Sequence, residues 1–298
     1  MSEQAMISDS ADRQEQAVPL RHTRPRSGPF SSRKMLRLLR GLSIRLAVPI
    51  VLIMVWVIVS DQKLVRPIFL PPPRAMKQAF DNLEALLPQA ILTTLTMTLT
   101  GFAVGTTLGT LMGLVMAYSR PVRELLGTVF DFLRPVPVFA LIPLFILWFG
   151  IGRSPQVALI AMGTSVILGV TTLEAIRNVP PIYIRAALTL GAGRQRIYRT
   201  VILPSIIPHL IGAIRVSAAA SWGLDVAAEF MGSQQGLGYL IILQQTYLRT
   251  SGIILLVIVY SVLAFVTDLL IALVEARVTR WTERRSSSGI VASIIGLG

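Results

Sequence analysis

Asp225 and Glu229 stand four residues apart in the run SAAASWGLDVAAEFMG, so a helix there projects both carboxylates from one face. The stretch 206–231 that carries them is otherwise apolar apart from His209 and Arg215, and Asp268 lies in the next apolar stretch, 252–274. Ionisable groups at membrane depth cost roughly 2.5–3.5 kcal/mol on insertion scales, so they are expected to face a partner, a cavity or water. Arg215 and Asp225 are separated by roughly 15 Å along a helix and cannot pair within it. The Asp225–Glu229 face is therefore a candidate border of a pathway, of a subunit interface or of an external mouth. Structural or gating work fits it better than direct capture of an anion, which two carboxylates repel. Gly236 and Gly238 follow at a turn where the chain is expected to re-enter the membrane.

The second constellation is IYIRAALTLGAGRQRIYRTVILP, residues 182–204, a basic stretch between two apolar ones. It reads Ala186-Ala187, three residues, Gly191, nine residues, then Val201-Ile202-Leu203-Pro204. Pro180 and Pro181 suit a helix start, so a first helix is expected over about 182–190. Gly191 and Gly193, flanking Ala192, permit the positive φ that ends a helix, and a second helix over 194–202 is expected to close before Pro204 and Pro208. Ala186 and Ala187 let the first helix seat deeply in a groove of another protein, with Tyr183 and Leu190 as apolar anchors. Arg194, Arg196 and Arg199 suit acidic partner residues, lipid headgroups or ordinary cytoplasmic charge.

Covalent chemistry finds little to work with. There is no cysteine, and His22 and His209 are too few and too far apart for a metal cluster. A phosphate-cradling loop needs Gly-Lys before Ser or Thr, yet Lys34, Lys63 and Lys77 follow Arg33, Gln62 and Met76. If ATP drives this protein, a separate chain must bind it.

The elements that position these residues follow from composition. Of 298 residues, 53% are apolar and only 14% charged, against about 25% charged in soluble domains. Continuous apolar runs near 44–60, 90–118, 136–151, 156–173, 206–231 and 252–274 predict six transmembrane helices in an all-α membrane protein. The formal charge of +13 raises nucleic acid as a partner, but the basic residues lie in separated loops without interleaved aromatics. Alternating the loops leaves only Lys63, Lys77, Arg66, Arg74, Arg153 and Arg249 on the second side and Arg215 within a span, so both termini are expected in the cytoplasm.

Residues 1–43 read as a disordered basic tail and 277–298 as a second cytoplasmic tail. The stretch 62–88, with Pro67, Pro71, Pro72 and Pro73, reads as an external connector. Gly101, Gly105, Gly109 and Gly113 form a stripe at four-residue spacing where another helix can approach closely. Trp148 and Phe149 read as interfacial anchors.

The 182–204 pattern resembles the EAA motif of permease subunits in bacterial ATP-binding-cassette importers: Glu-Ala-Ala, three residues, Gly, nine residues, Ile, any residue, Leu-Pro. Ala186, Ala187, Gly191, Leu203 and Pro204 match, Val201 replaces Ile, and Arg185 stands where the motif has Glu. The segments FLPPP at 69–73, RPVPVFALIPLFILWFGIG at 134–152 and AAEFMGSQQGLGYLI at 227–241 look like the branch that imports aliphatic sulfonates, taurine and nitrate-like anions. The resemblance implies a type I importer permease core over 89–276, with 174–205 as the loop that docks in an ATPase subunit, two copies of which are expected. It further implies a second permease copy, a soluble substrate-binding protein outside, and ATP with Mg on the partner only. Two other readings stay open at this stage: a carrier driven by an ion gradient, with Asp225, Glu229 or Asp268 as its ion site, and a membrane scaffold that docks a cytoplasmic protein.

Overall fold

The computed structural model describes residues 32–62 and 64–278. The two tails expected at the chain ends lie, over 1–31 and 279–298, outside the described residues. All regular structure among the described residues is helical.

Helix α1, Ser32–Asp61, contains Pro49, and up to Trp56 it belongs to a unit of its own. Its apolar part, Ala47–Asp61, is shorter than the roughly 20 residues that cross hydrocarbon. From Val57 onward the chain forms a second unit. In it, α2 (Pro73–Leu83) is an amphipathic helix with Ala79 and Leu83 buried. The long apolar helices are α3 (Leu87–Tyr118), α6 (Arg153–Arg177), α9 (Leu203–Gly232) and α11 (Thr250–Val278). They realise the expected runs 90–118, 156–173, 206–231 and 252–274.

The run 136–151 departs from expectation. A single helix is expected there, but the chain makes α4 (Arg120–Leu133), a 3-10 turn (Val138–Leu141) and the short α5 (Ile142–Phe149). The two arms meet at 92°. Pro135 and Pro137 explain the break, because each removes a backbone donor and disfavours helix at the preceding residue. Among the described residues, four helices are long and apolar enough to cross a membrane, or five if this bent pair counts as one span.

The glycine stripe lies along α6. A Cβ added at Gly101 would sit 2.7 Å from the Ile160 Cβ, and one at Gly105 would overlap Thr164 and the Ala161 carbonyl. At Gly109 it would overlap the Ser165 carbonyl, and at Gly113 it would lie 2.5 Å from the Thr172 Cβ. The partners advance along α6 as the glycines advance along α3, so the two helices run parallel. Close approach of this kind supplies packing in a medium where apolar side chains gain nothing by leaving lipid.

Around this seam, α9 packs antiparallel to α6, with Leu159 against Ala228 beside Ile142 and Phe145 of α5. A second core gathers Leu83, Ala90, Trp222, Leu237, Leu256 and Tyr260. It holds α10 (Leu237–Thr246) against α3, α9 and α11. At the opposite end, Met116, Phe130 and Val170 join α3, α4 and α6, while Ala175, Val179 and Ile206 join α6 to α9.

Candidate functional site

The basic segment begins with α7, Pro181–Thr189, where Pro181 occupies the first turn and no residue is buried. Gly191, at φ +74°, ends it. The Gly191 N–H donates to the Leu188 carbonyl at 2.9 Å and the Ala192 N–H to the Ala187 carbonyl at 3.0 Å, capping the orphan carbonyls of the last turn. Only Gly191 uses the left-handed region. Gly193 was expected to do the same, but it sits at φ −69° as the residue preceding α8 (Arg194–Ile197), because one left-handed residue suffices to reverse the chain.

The second helix does not close before Pro204 and Pro208. It passes through a π-helical turn, Tyr198–Ile202, straight into α9, and Pro208 lies inside that helix. The wide turn ends just ahead of Pro204, where the ring would collide with the carbonyl four residues back in a regular α-helix. The chain is thus helical without interruption from Arg194 to Gly232.

Outward, α7 presents Ile182 and Tyr183, with Leu190 beyond it the most exposed of the three at 87%; Arg185 and Ala186 are exposed beside them. Ala187, Ala192 and Leu203 are half-buried and Pro204 is exposed. Inward, two side chains tie the segment to the end of α3. The Arg194 guanidinium donates to the Tyr118 carbonyl and lies 4.6 Å from the centre of the Tyr118 ring. The Tyr198 hydroxyl donates to the Leu114 carbonyl at 2.8 Å, and its ring meets Tyr118 edge-on at 5.5 Å. Sequence reading missed Tyr118 and Tyr198, whose only signal is an aromatic residue at the end of an apolar run. No Asp or Glu occurs between Glu174 and Asp225, so the segment is uniformly cationic.

Asp225 and Glu229 do share a face, and that face is fully buried within the chain. Thr94 of α3 donates its hydroxyl to Glu229 Oε1 at 2.7 Å, and the Gly238 N–H donates to Oε2 at 2.5 Å. The Leu237 N–H donates in turn to the Thr94 hydroxyl at 2.9 Å. Glu229 thus caps the first turn of α10 and fastens it to α3 and α9. Gly236 approaches at φ +105°, and a Cβ there would overlap the Glu229 carboxylate. Tyr260 of α11 donates its hydroxyl to Asp225 and stacks edge-on against Trp222. Thr94 and Tyr260 had no distinguishing mark in the sequence.

Arg215 finds its partners on α11, donating to both oxygens of Asp268 at 2.9 and 2.8 Å and to Glu275 at 3.3 Å. This cross-helix cluster stands apart from the Asp225–Glu229 pair. Among the described residues no group of three His, Cys, Asp or Glu side chains could hold a metal ion. Among the described residues the arrangement comprises an exposed basic segment, a closely packed bundle and buried polar fasteners.

Comparison with known proteins accords with this geometry. Residues 105–280 match the family described as "binding-protein-dependent transport system inner membrane component". The chain is 30% identical to the taurine transport system permease protein TauC of Escherichia coli, over 78% of this chain and 86% of that one. It is 35% identical to the riboflavin transport system permease protein RibX of Chloroflexus aurantiacus, over 66% and 74%. In structure it is similar to a chain of the inward-facing MetNI methionine ABC transporter, with a TM-score of 0.54 and 21% identity over 68% of this chain and 99% of that one. A chain of an amino acid ABC transporter gives a TM-score of 0.55, at 21% identity over 63% and 92%. The TauC and RibX relatives are permease proteins of transport systems, not enzymes. With a helical bundle, an exposed helix–glycine–helix segment and a family match over most of its described core, this chain belongs to the inner-membrane permease components of binding-protein-dependent ABC importers.

Proposed function

We propose that this chain forms the translocation pathway of an ATP-driven importer for a small anionic solute of the sulfonate, taurine or nitrate-like class. Two copies pair in the membrane, each docking one separate ATPase subunit, which alone binds ATP and Mg, while a soluble protein delivers substrate outside. The observation that carries this reading is the segment 174–205. It exposes Ile182, Tyr183 and Leu190 around the small Ala186, a face shaped to enter a groove. It is also continuous with α9 through the π turn, so force applied to α7 reaches a membrane helix directly.

Six spans with both termini cytoplasmic fit the helix directions. Parallel α3 and α6 need one return crossing between them, which the bent α4–α5 pair supplies, and the sixth span is assigned from the sequence alone, to the apolar run 44–60. The arginine-rich turns then share the end that carries Tyr118, Val179 and Leu203, in keeping with positive-inside charge. Substrate preference rests on the taurine relative and on the sequence resemblance alone.

A carrier driven by an ion gradient has less support. Asp268 is paired with Arg215, and Glu229 already accepts two hydrogen bonds within the fold. Asp225, Glu229, Gly236 and Gly238 serve in this proposal as a gate-setting junction between α3, α9, α10 and α11, and not as a binding site.

The test is co-purification with the ATPase encoded beside it, with ATP hydrolysis measured in proteoliposomes. Ala187→Glu combined with Gly191→Trp is expected to abolish both association and stimulated hydrolysis. Unchanged association in that double variant would sink the docking assignment.

A further inference from the structure

Beside α7, opening to solvent past Leu188, which is 57% exposed, lies a groove of about 270 Å³. Ile176 of α6, Ile184 and Leu188 of α7, and Ile197 and Ile202 beyond the glycine turn line it, with Tyr118, Tyr198 and Arg194 on its polar side. A helix with no buried residue therefore turns Ile184 and Leu188 toward an apolar space it does not fill.

The charge in that space is one-sided. Arg194 donates to the Tyr118 carbonyl and lies over the Tyr118 ring, but neither contact neutralises it. The nearest carboxylate in sequence before it, Glu174, is committed to Arg134 at 2.7 Å. An apolar trough of this size with one cation at its side matches the usual make-up of a small-molecule site, mostly apolar walls with one or two groups that fix orientation.

We infer that this groove binds a free single-chain amphiphile with an anionic head, its chain among Ile176, Ile184, Leu188 and Ile202 and its head on Arg194. A cationic head would be repelled by the guanidinium, and a fully polar anion would leave the isoleucine wall wet. The occupant stands between α7 and the ends of α3 and α6, so it props the docking helix away from the bundle. Binding itself does not depend on the proposed ATPase coupling. Its consequence, altered ATP hydrolysis, does rest on that reading.

The experiment uses the full-length chain in phosphatidylcholine nanodiscs with a diazirine-bearing decanoate, mapping the photolabel by mass spectrometry. Labelling of peptides within 176–202 is expected to saturate and to be displaced by decanesulfonate but not by decyltrimethylammonium. Arg194→Gln is expected to raise the half-saturating concentration about tenfold, the usual loss for one charge-assisted hydrogen bond. Arg194→Lys should restore most of it, and Ile184→Trp, which fills the trough, should remove the labelling. Arg196→Gln, at an exposed position, should leave it unchanged.

Labelling that never saturates, or that Arg194→Gln and Ile184→Trp do not weaken, would overturn the site. Displacement by phosphatidylglycerol in the disc but not by decanesulfonate would overturn the free-anion assignment by showing a lipid occupant. Saturable labelling with ATP hydrolysis by the assembled transporter unchanged would leave the site standing and refute its coupling consequence.

Discussion

Glu229 offers the sharpest test of how the bundle is fastened. Its two oxygens accept from the Thr94 hydroxyl at 2.7 Å and the Gly238 N–H at 2.5 Å, and its side chain is 1% exposed. Glu229→Leu keeps similar bulk but strands both donors without water. Each orphaned buried donor costs about 1–3 kcal/mol, so the variant is expected to lose roughly 2–6 kcal/mol. Glu229→Gln retains one acceptor oxygen and is expected to lose about half as much. Thr94→Val strands the Leu237 N–H as well, because that group donates to the same hydroxyl. The combination of Thr94→Val with Glu229→Leu should therefore be less damaging than the two single losses added, by roughly 0.5–3 kcal/mol. Unfolding of the purified protein in mixed micelles, titrated with SDS and followed by tryptophan emission, measures the parent and all four variants. If Glu229→Leu is as stable as the parent, or if the two losses add within about 0.5 kcal/mol, the fastener has no energetic reality.

Three further outcomes are expected. Gly236→Ala forces a Cβ onto the Glu229 carboxylate from a left-handed backbone, and the same SDS titration should show a loss of about 1–3 kcal/mol. Gly105→Val places bulk where Thr164 and the Ala161 carbonyl already stand. Overpacking of this order costs about 1–3 kcal/mol, read as a lower thermal midpoint, while Gly127→Val, at a glycine with open space around it, should change little by comparison. Arg215→Met leaves Asp268 and Glu275 without their shared cation. It should destabilise the α9–α11 pair, and adding Asp268→Leu should recover part of the loss, since a half-broken ion pair is worse than none. The cluster is partly exposed, so the thermal midpoint should move less than with Glu229→Leu.

The sequence by itself determined the helical membrane class, four of the long helices and the helix–glycine–helix character of the segment after Pro181. These follow from local properties: runs of apolar residues long enough to cross hydrocarbon, prolines that start helices and a glycine that can take φ +74°. The spacing of Ala186, Ala187, Gly191, Leu203 and Pro204 carried the family resemblance for the same reason, since one helix and one turn fix it. Charge patterning marked Arg215, Asp225, Glu229 and Asp268 as unusual without naming their partners.

Those partners only the tertiary structure decided. Thr94 and Glu229 lie 135 residues apart, and nothing local in either helix says that they meet. The glycine stripe announced a close neighbour, but only the register of Ile160, Thr164 and Thr172 identified α6 and its parallel direction. The break at Pro135 and Pro137 was misread because hydropathy averages over a window and is blind to a 92° bend. Continuity through Pro204 was misread in the opposite sense: a π turn absorbs the missing donor, and that adjustment depends on the packing of Tyr198 and Ile202 against α3 and α6. Local chemistry thus set which segments are helices, whereas long-range packing set which of them are broken, which are continuous and what each buried charge holds.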